Sequence, residues 1–188
     1  MFNALTLSRK WPFIGKQTSV REELTGLIET SISQTDTEFD NQEGLLLRNM
    51  LGLRDITAED VMVPRADIVA VDISEGFEAV YRQISAAAHS RVPAYEGNRD
   101  NVRGMLHIKD LVAHSLSPEQ PGLRQLLRPV LFVSPAIRLL DLLQEMRLKR
   151  QHLALVIDEF GGVDGLITIE DLVEEIVGEI EDEHDVTE

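Results

Sequence analysis

The sequence predicts an α/β fold built from two tandem β-α-β-β-α units related by a pseudo-twofold axis, with helices in front of them. Three observations carry this. The segment Val102–Val112 returns as Val163–Val173 at an offset of 61, with six of eleven residues identical. Upstream, Phe77, Val80, Tyr81 and Ile84 match Leu139, Leu142, Leu143 and Met146 at an offset of 62, and both sets follow the i, i+3, i+4, i+7 spacing of one apolar helix face. Glycines stand where each unit must reverse between strands, at Glu96-Gly97-Asn98 and Gly161-Gly162, because glycine adopts a positive φ at little cost. Searching for such repeats precedes the assignment of single elements, since a missed repeat misreads the whole fold.

Taken in order, the first unit reads as a short strand at Asp67–Asp72, a helix over Gly76–Ala87, strands at Arg91–Tyr95 and Val102–Leu106, and a helix starting near Ile108. The second reads as a strand at Val130–Val133, a helix whose first turn accepts Pro135, strands at Leu153–Ile157 and Val163–Ile167, and a helix from Ile169. Ser117–Gly122, rich in turn formers, links the two. The expected divisions are a basic segment and helical adaptor at 1–60, units at 61–122 and 123–181, and an acidic tail at 182–188. In the adaptor, Leu24, Leu27, Ile28 and Ile32 mark one helix, and Leu46, Leu47, Met50 and Leu51 another. The polar stretch Ser33–Gln42 reads as a loose connection. A unit of about 55 residues is marginal alone, so the two are expected to pack face to face as one module.

The charge is uneven. Eighteen Lys and Arg face 33 Asp and Glu, a net charge of −15, yet residues 1–21 hold four basic residues and no acid while residues 170–188 hold ten acids and no base. This balance argues against a nucleic-acid groove, which needs concentrated positive charge. Zero cysteine excludes disulfides, thiolate metal sites and a thiol nucleophile, and makes the cytoplasm the expected compartment. No run approaches the ~20 apolar residues of a membrane span. Trp11 and Phe13 among basic residues suit either a partly buried terminus or a membrane surface. The five histidines have no metal-ligand spacing, no phosphate-loop glycine pattern occurs, and no nucleophile–base set emerges, so an enzyme is not expected. Asp158 and Glu159 read as neighbours on a strand, pointing to opposite faces.

Tandem units ending in Gly-x-x-Thr-x-x-Asp resemble a cystathionine-β-synthase (CBS) domain pair, or Bateman module. Asp60-Val61-Met62-Val63-Pro64-Arg65, His89-Ser90-Arg91-Val92-Pro93, His152–Val163 and Ile169–Ile180 resemble, more narrowly, the CorC/HlyC group of magnesium/cobalt efflux-associated proteins, related to animal cyclin-M transporters. The resemblance runs from about Leu45 to the end. Many relatives add a transmembrane domain before the pair and a CorC-type domain after it, so the chain is expected to be a short soluble form. The resemblance implies an adenine-nucleotide ligand (AMP, ADP or ATP, with Mg²⁺ accompanying ATP), a homodimer formed through the CBS helices, and a membrane ion transporter as partner at the inner face of the plasma membrane.

For chemistry, Thr168-Ile169-Glu170-Asp171 sits where a strand enters a helix. Helix N-termini suit phosphate, a Thr hydroxyl can donate to a phosphate oxygen, and the two Asp171 oxygens fit the paired hydroxyls of a ribose. The same residues also read as a capping box worth ~1 kcal/mol without any ligand. By resemblance, the slot for adenine is lined by Ile68, Val69, Ser90, Arg91, Val92 and Pro93, with Leu166 behind, and Arg91 is the phosphate partner by charge. The equivalent positions of the first unit, His107 and Asp110, predict a weaker or empty second site. The acidic tail reads as a solvated linker or as a surface for a basic or divalent-ion partner. A dimerisation scaffold with vestigial sites is the alternative function, using the Phe77 and Leu139 stripes or Leu172, Ile176 and Ile180.

Overall fold

In the computed structural model, residues 20–33, 41–116 and 122–178 are described. Arg9, Lys10, Trp11 and Phe13, most of the Ser117–Gly122 linker, the end of the second unit from Glu179 with Ile180, and the acidic tail at 182–188 lie outside the described residues. Residues 1–51 and 52–188 form separate compact units. The first holds the two expected helices, α1 (Val20–Ser33) and all but the last residue of α2 (Asn41–Gly52). Leu24, Leu27, Leu46, Leu47 and Met50 of their apolar stripes are exposed.

The second unit runs α3 (Ala58–Val61), β1 (Val63–Pro64), β2 (Val71–Asp72), α4 (Phe77–Ala87), β3 (Arg91–Glu96), β4 (Asn98–His107), α5 (Ile108–Ser115), β5 (Leu131–Val133), α6 (Leu139–Lys149), β6 (Leu153–Ile157), β7 (Val163–Thr168) and α7 (Ile169–Val177). One sheet has the order β2-β3-β4 and the other β1-β7-β6-β5. The repeat is visible in the pairing: β2 with β3 and β5 with β6 are parallel, whereas β3 with β4 and β6 with β7 are antiparallel hairpins. Each amphipathic helix stripe enters a core as its spacing requires, Val80 and Ile84 in the first repeat and Leu139, Leu142 and Met146 in the second.

The two repeats are not self-contained. The lead-in to the first, with Leu53, Ile56, Ala58, Val61 and Met62, packs in the core of the second. Its strand β1 pairs with β7, Val63 opposite Leu166 and Pro64 opposite Gly165. In return, Leu123, Leu126 and Leu127, the lead-in to the second repeat, pack in the core of the first. There Arg128 and Met105 exchange both main-chain hydrogen bonds at 2.9 Å. Division at residues 61 and 123 therefore cuts through both cores.

The repeated glycines Gly104 and Gly165 owe their place to this exchange. A Cβ on Gly104 would lie 2.5 Å from the Arg128 carbonyl oxygen, and one on Gly165 would run into Met62, 2.6 Å from its Cγ and closer still to its Sδ. Both are sites of close approach, where only a missing side chain lets the lead-in cross.

Three expectations are corrected. Asp67–Asp72 is not one strand: Arg65–Asp67 is a 3₁₀ turn and only Val71–Asp72 pairs. Pro135 precedes α6 by more than a turn, and its carbonyl accepts the Glu59 N–H. Asp158 lies beyond β6 in a turn, where Oδ1 accepts the N–H groups of Phe160 and Gly162, so Asp158 and Glu159 are turn residues and not strand neighbours.

A polar tie joins the hairpins of the two repeats. Arg65 pairs with both oxygens of Asp100 on β4, and its NH1 donates to the Val163 carbonyl at 2.7 Å. The Val163 N–H in turn donates to Asp100 Oδ1 at 3.0 Å. These hydrogen bonds hold the Asp100 carboxyl down to about 2.

Two predictions follow from these contacts. Gly104→Ala faces main chain while Gly165→Ala faces a flexible methionine, so the first should cost ~3 kcal/mol and the second nearer ~1 kcal/mol. Urea unfolding checks the order, and equal or reversed costs would contradict the crossing geometry. Asp100 has a lowered folded pKa, so its stabilisation is present above the unfolded carboxylate value of ~3.9 and is lost as pH falls through about 2. The melting temperature of Asp100→Asn should lie below that of the unaltered protein above pH ~5, with the gap closing between pH ~4 and ~2. A gap independent of pH would show that the tie is not electrostatic.

Candidate functional site

Where β7 passes into α7, Thr168 is the N-cap and Asp171 the third helical residue. Their capping box is formed: the Thr168 N–H donates to Asp171 Oδ2 at 2.7 Å and the Asp171 N–H to Thr168 Oγ1 at 3.3 Å. The box fixes both side chains before any ligand arrives. The second Asp171 oxygen, Oδ1, has no protein partner among the described residues, and a hydroxyl that accepts one bond still has its proton to donate.

This corner opens into a cleft of about 350 Å³, within the range of small-molecule sites, roughly 300–1,000 Å³. Seven of the nine residues expected at the main site line it together: Ile68, Val69, Arg91, Pro93, Leu166, Thr168 and Asp171. They come from both repeats, the connection before β2 and strand β3 from the first, β7 and α7 from the second. Side chains alternate along a strand, so Arg91 and Pro93 face the cleft while Val92 between them is fully buried in the first repeat's core. Ser90 does not line it; its carbonyl accepts the Ile108 N–H at 3.0 Å. Val92 and Ser90 are the two of the nine whose side chains do not reach the cleft wall.

Val63, Asp67, His89 and Leu153 also line the cleft. Asp67 and His89 adjoin residues that the sequence singled out. Val63 arrives through the exchanged β1, and Leu153 lies opposite Thr168 across the hairpin, so both depend on tertiary pairing that local pattern does not encode. The walls are apolar, with Ile68 and Leu153 buried and Val69 39% exposed.

Charge in the cleft is mixed. Arg91 lines it together with Asp67 and Asp171, and Arg91 NH1 sits 3.5 Å from Glu170 Oε1 at the start of α7. An apolar slot ending in a helix N-terminus, an arginine and an acceptor carboxylate suits a flat ring joined to a polyhydroxyl and an anion.

The corresponding corner of the first repeat differs. His107 caps α5 by accepting the Lys109 N–H at Nδ1 over 3.1 Å, so histidine does serve as the cap there. Asp110 is held by Arg128, Nε to Oδ2 at 2.7 Å and NH2 to Oδ1 at 2.8 Å. The pair lowers the Asp110 pKa and raises that of Arg128. Burial, then the nearby charges of Arg91 and Arg128, depress that of His107.

Of the residues expected to form a dimer surface, Leu172 and Leu139 are buried in the core, and Phe77 stacks on Tyr81 and meets the His114 ring at a tilt. What α5, α6 and α7 leave exposed is Val112, Leu140, Leu148, Val173 and Val177. Among the described residues no cluster of His, Asp and Glu is arranged to hold a metal, and no helix is long and apolar enough to cross a membrane.

The family model of the CBS domain matches residues 58–117 and again 123–178. Hemolysin C of Rickettsia prowazekii is 48% identical over 141 residues, which are 74% of this chain and 46% of that protein. The chain thus spans about half the length of the curated relatives it matches. Among solved structures, the CBS domain of a bacterial CNNM/CorC family Mg²⁺ transporter is 30% identical with a TM-score of 0.78, covering 88% of this chain and all of that one. A CBS domain of that transporter family in complex with ATP is 33% identical, with a TM-score of 0.69 over 74% of this chain and 99% of that one. A CBS-domain pair from Klebsiella pneumoniae with bound AMP is 29% identical, with a TM-score of 0.60 over 65% and 99%.

Proposed function

The chain belongs to the CBS-domain family, as a pair of the hemolysin C and CorC kind, and from that premise we propose that its cleft is an adenine-nucleotide site through which the pair regulates magnesium or cobalt handling by an attached or partner transporter. The observation that carries the reading is the placement of Thr168, Asp171 and Arg91 around one apolar slot. In it, adenine lies between Ile68, Val69, Pro93 and Leu166. Asp171 Oδ1 accepts from the ribose, the Thr168 hydroxyl donates to a phosphate oxygen, and Arg91 leaves Glu170 to pair with the phosphate. With Asp67, Asp171 and Glu170 close by, a triphosphate is best accommodated with Mg²⁺ beside it, which offsets the carboxylate charge. The solved complexes with ATP and AMP support the ligand class by likeness.

A second reading, assembly through the helices, draws on Leu148 at 72% exposure and Val177 at 51% on α6 and α7. Sedimentation with and without nucleotide separates it from the first, because a scaffold dimerises regardless of ligand.

Nucleotide binding is tested by melting and calorimetry. Saturating AMP or Mg²⁺-ATP at 100 times its dissociation constant should stabilise the protein by ~2.7 kcal/mol. Asp171→Ala should lower the melting temperature of the free protein slightly, through the lost cap, and weaken binding by roughly tenfold or more as a charged hydrogen bond is removed. Arg91→Ala should weaken AMP by a similar factor and leave adenosine nearly unchanged. Binding that is indifferent to Asp171→Ala would place the nucleotide elsewhere.

A further inference from the structure

We infer that Arg128 is the residue that restricts this module to one nucleotide: its guanidinium occupies, in the first repeat, the place that a ribose takes in the second. The inference rests on the nucleotide reading of the open cleft, and it concerns the other half of the molecule.

The repeat aligns Met105 with Leu166 and Asp110 with Asp171. Val63 is the main-chain partner of Leu166, and Arg128 is the main-chain partner of Met105. Each precedes a proline, Pro64 or Pro129, which holds it extended. Arg128 therefore stands where Val63 stands. Val63 is short and apolar and serves as a wall of the open cleft. Arg128 is long enough to turn its planar fork onto both oxygens of Asp110, the bidentate geometry in which a guanidinium fits a carboxylate best. Asp171 spends only Oδ2 on the protein; Asp110 spends both oxygens.

The neighbouring groups agree with a filled corner. His107, which replaces Thr168, accepts the Lys109 N–H at Nδ1, and burial with the nearby charges of Arg91 and Arg128 holds its pKa down. A nucleoside entering here would have to displace the Arg128 fork from both Asp110 oxygens, whereas at Asp171 it displaces nothing from Oδ1. The chain thus carries its own occupant of the second corner, set by one side chain on the exchanged lead-in.

Equilibrium dialysis of the whole chain against AMP and Mg²⁺-ATP reads the number bound. The unaltered protein should bind about one nucleotide per chain and Arg128→Ala about two, the added one at least roughly tenfold tighter than any second binding before the change. Arg128→Gln keeps the stem and the main-chain pairing with Met105, and decides the matter if the alanine variant fails to fold. In the Arg128→Ala background, Asp171→Ala should leave the gained site and Asp110→Ala should abolish it. One nucleotide per chain in both Arg128 variants overturns the inference while leaving the open cleft intact. If the unaltered protein binds none and Arg128→Ala binds one, the latch stands and the cleft reading falls; if no variant binds, both fall.

Discussion

Everything in the paired unit depends on one crossing made twice: the lead-in of each repeat passes over a glycine in the last strand of the other. Gly165 admits Met62 and Gly104 admits the carbonyl of Arg128. A fragment of about 55 residues buries too little surface to be secure alone, and here neither repeat holds all of its own core. Leu53 and Ala58 complete the second, Leu123 completes the first. The Arg65–Asp100–Val163 tie adds directional hydrogen bonds to the same junction. Its worth lies in fixing the relative register of the two hairpins, because a half-exposed ion pair contributes little net energy.

The crossing also makes the cleft. Both repeats supply apolar wall and polar groups, Ile68, Pro93 and Arg91 from the first and Leu153, Leu166, Thr168 and Asp171 from the second, so the cleft is complete only once the two have exchanged lead-ins. A ligand seated there would touch both repeats at once, the arrangement by which binding free energy becomes a bias on how the repeats sit. Pseudo-symmetry makes two such corners available and the side chains make them unlike. A threonine–aspartate box leaves one acceptor oxygen outward, while a histidine cap with an arginine–aspartate pair leaves none.

The repeat and its strand–helix order were legible because periodicity is local and was written twice, and most of the cleft followed because Thr168, Asp171 and Arg91 lie in segments with recognisable motifs. What stayed illegible was tertiary. Val63 falls at the start of the first unit in the sequence, and nothing local says that it pairs with β7 of the second. Pro135 fits a first helical turn as well as it fits a turn that receives the Glu59 N–H. Strand alternation sends the Val92 side chain to the core between two cleft residues, which a motif read residue by residue does not show. Asp110 matched Asp171 by position, but its partner Arg128 lies eighteen residues away, and no local spacing ties the two.

Capping at Thr168 and Asp171 and the binding proposed there draw on the same physics. A cap answers unpaired N–H groups at a helix start with side-chain oxygens, and in doing so it holds those side chains in one rotamer each. A ligand that later meets Asp171 Oδ1 and the Thr168 proton finds them already ordered, and the entropy of fixing them has been met in folding. Arg91 is held in a complementary way, against Glu170 at 3.5 Å, with the carboxylate 63% exposed. That contact is long and wet enough to yield to a phosphate, yet it keeps the guanidinium at the helix start in the meantime. The corner at Asp171 is thus set up by contacts that a ligand can join or replace cheaply, whereas at Asp110 both carboxylate oxygens are already paired with Arg128.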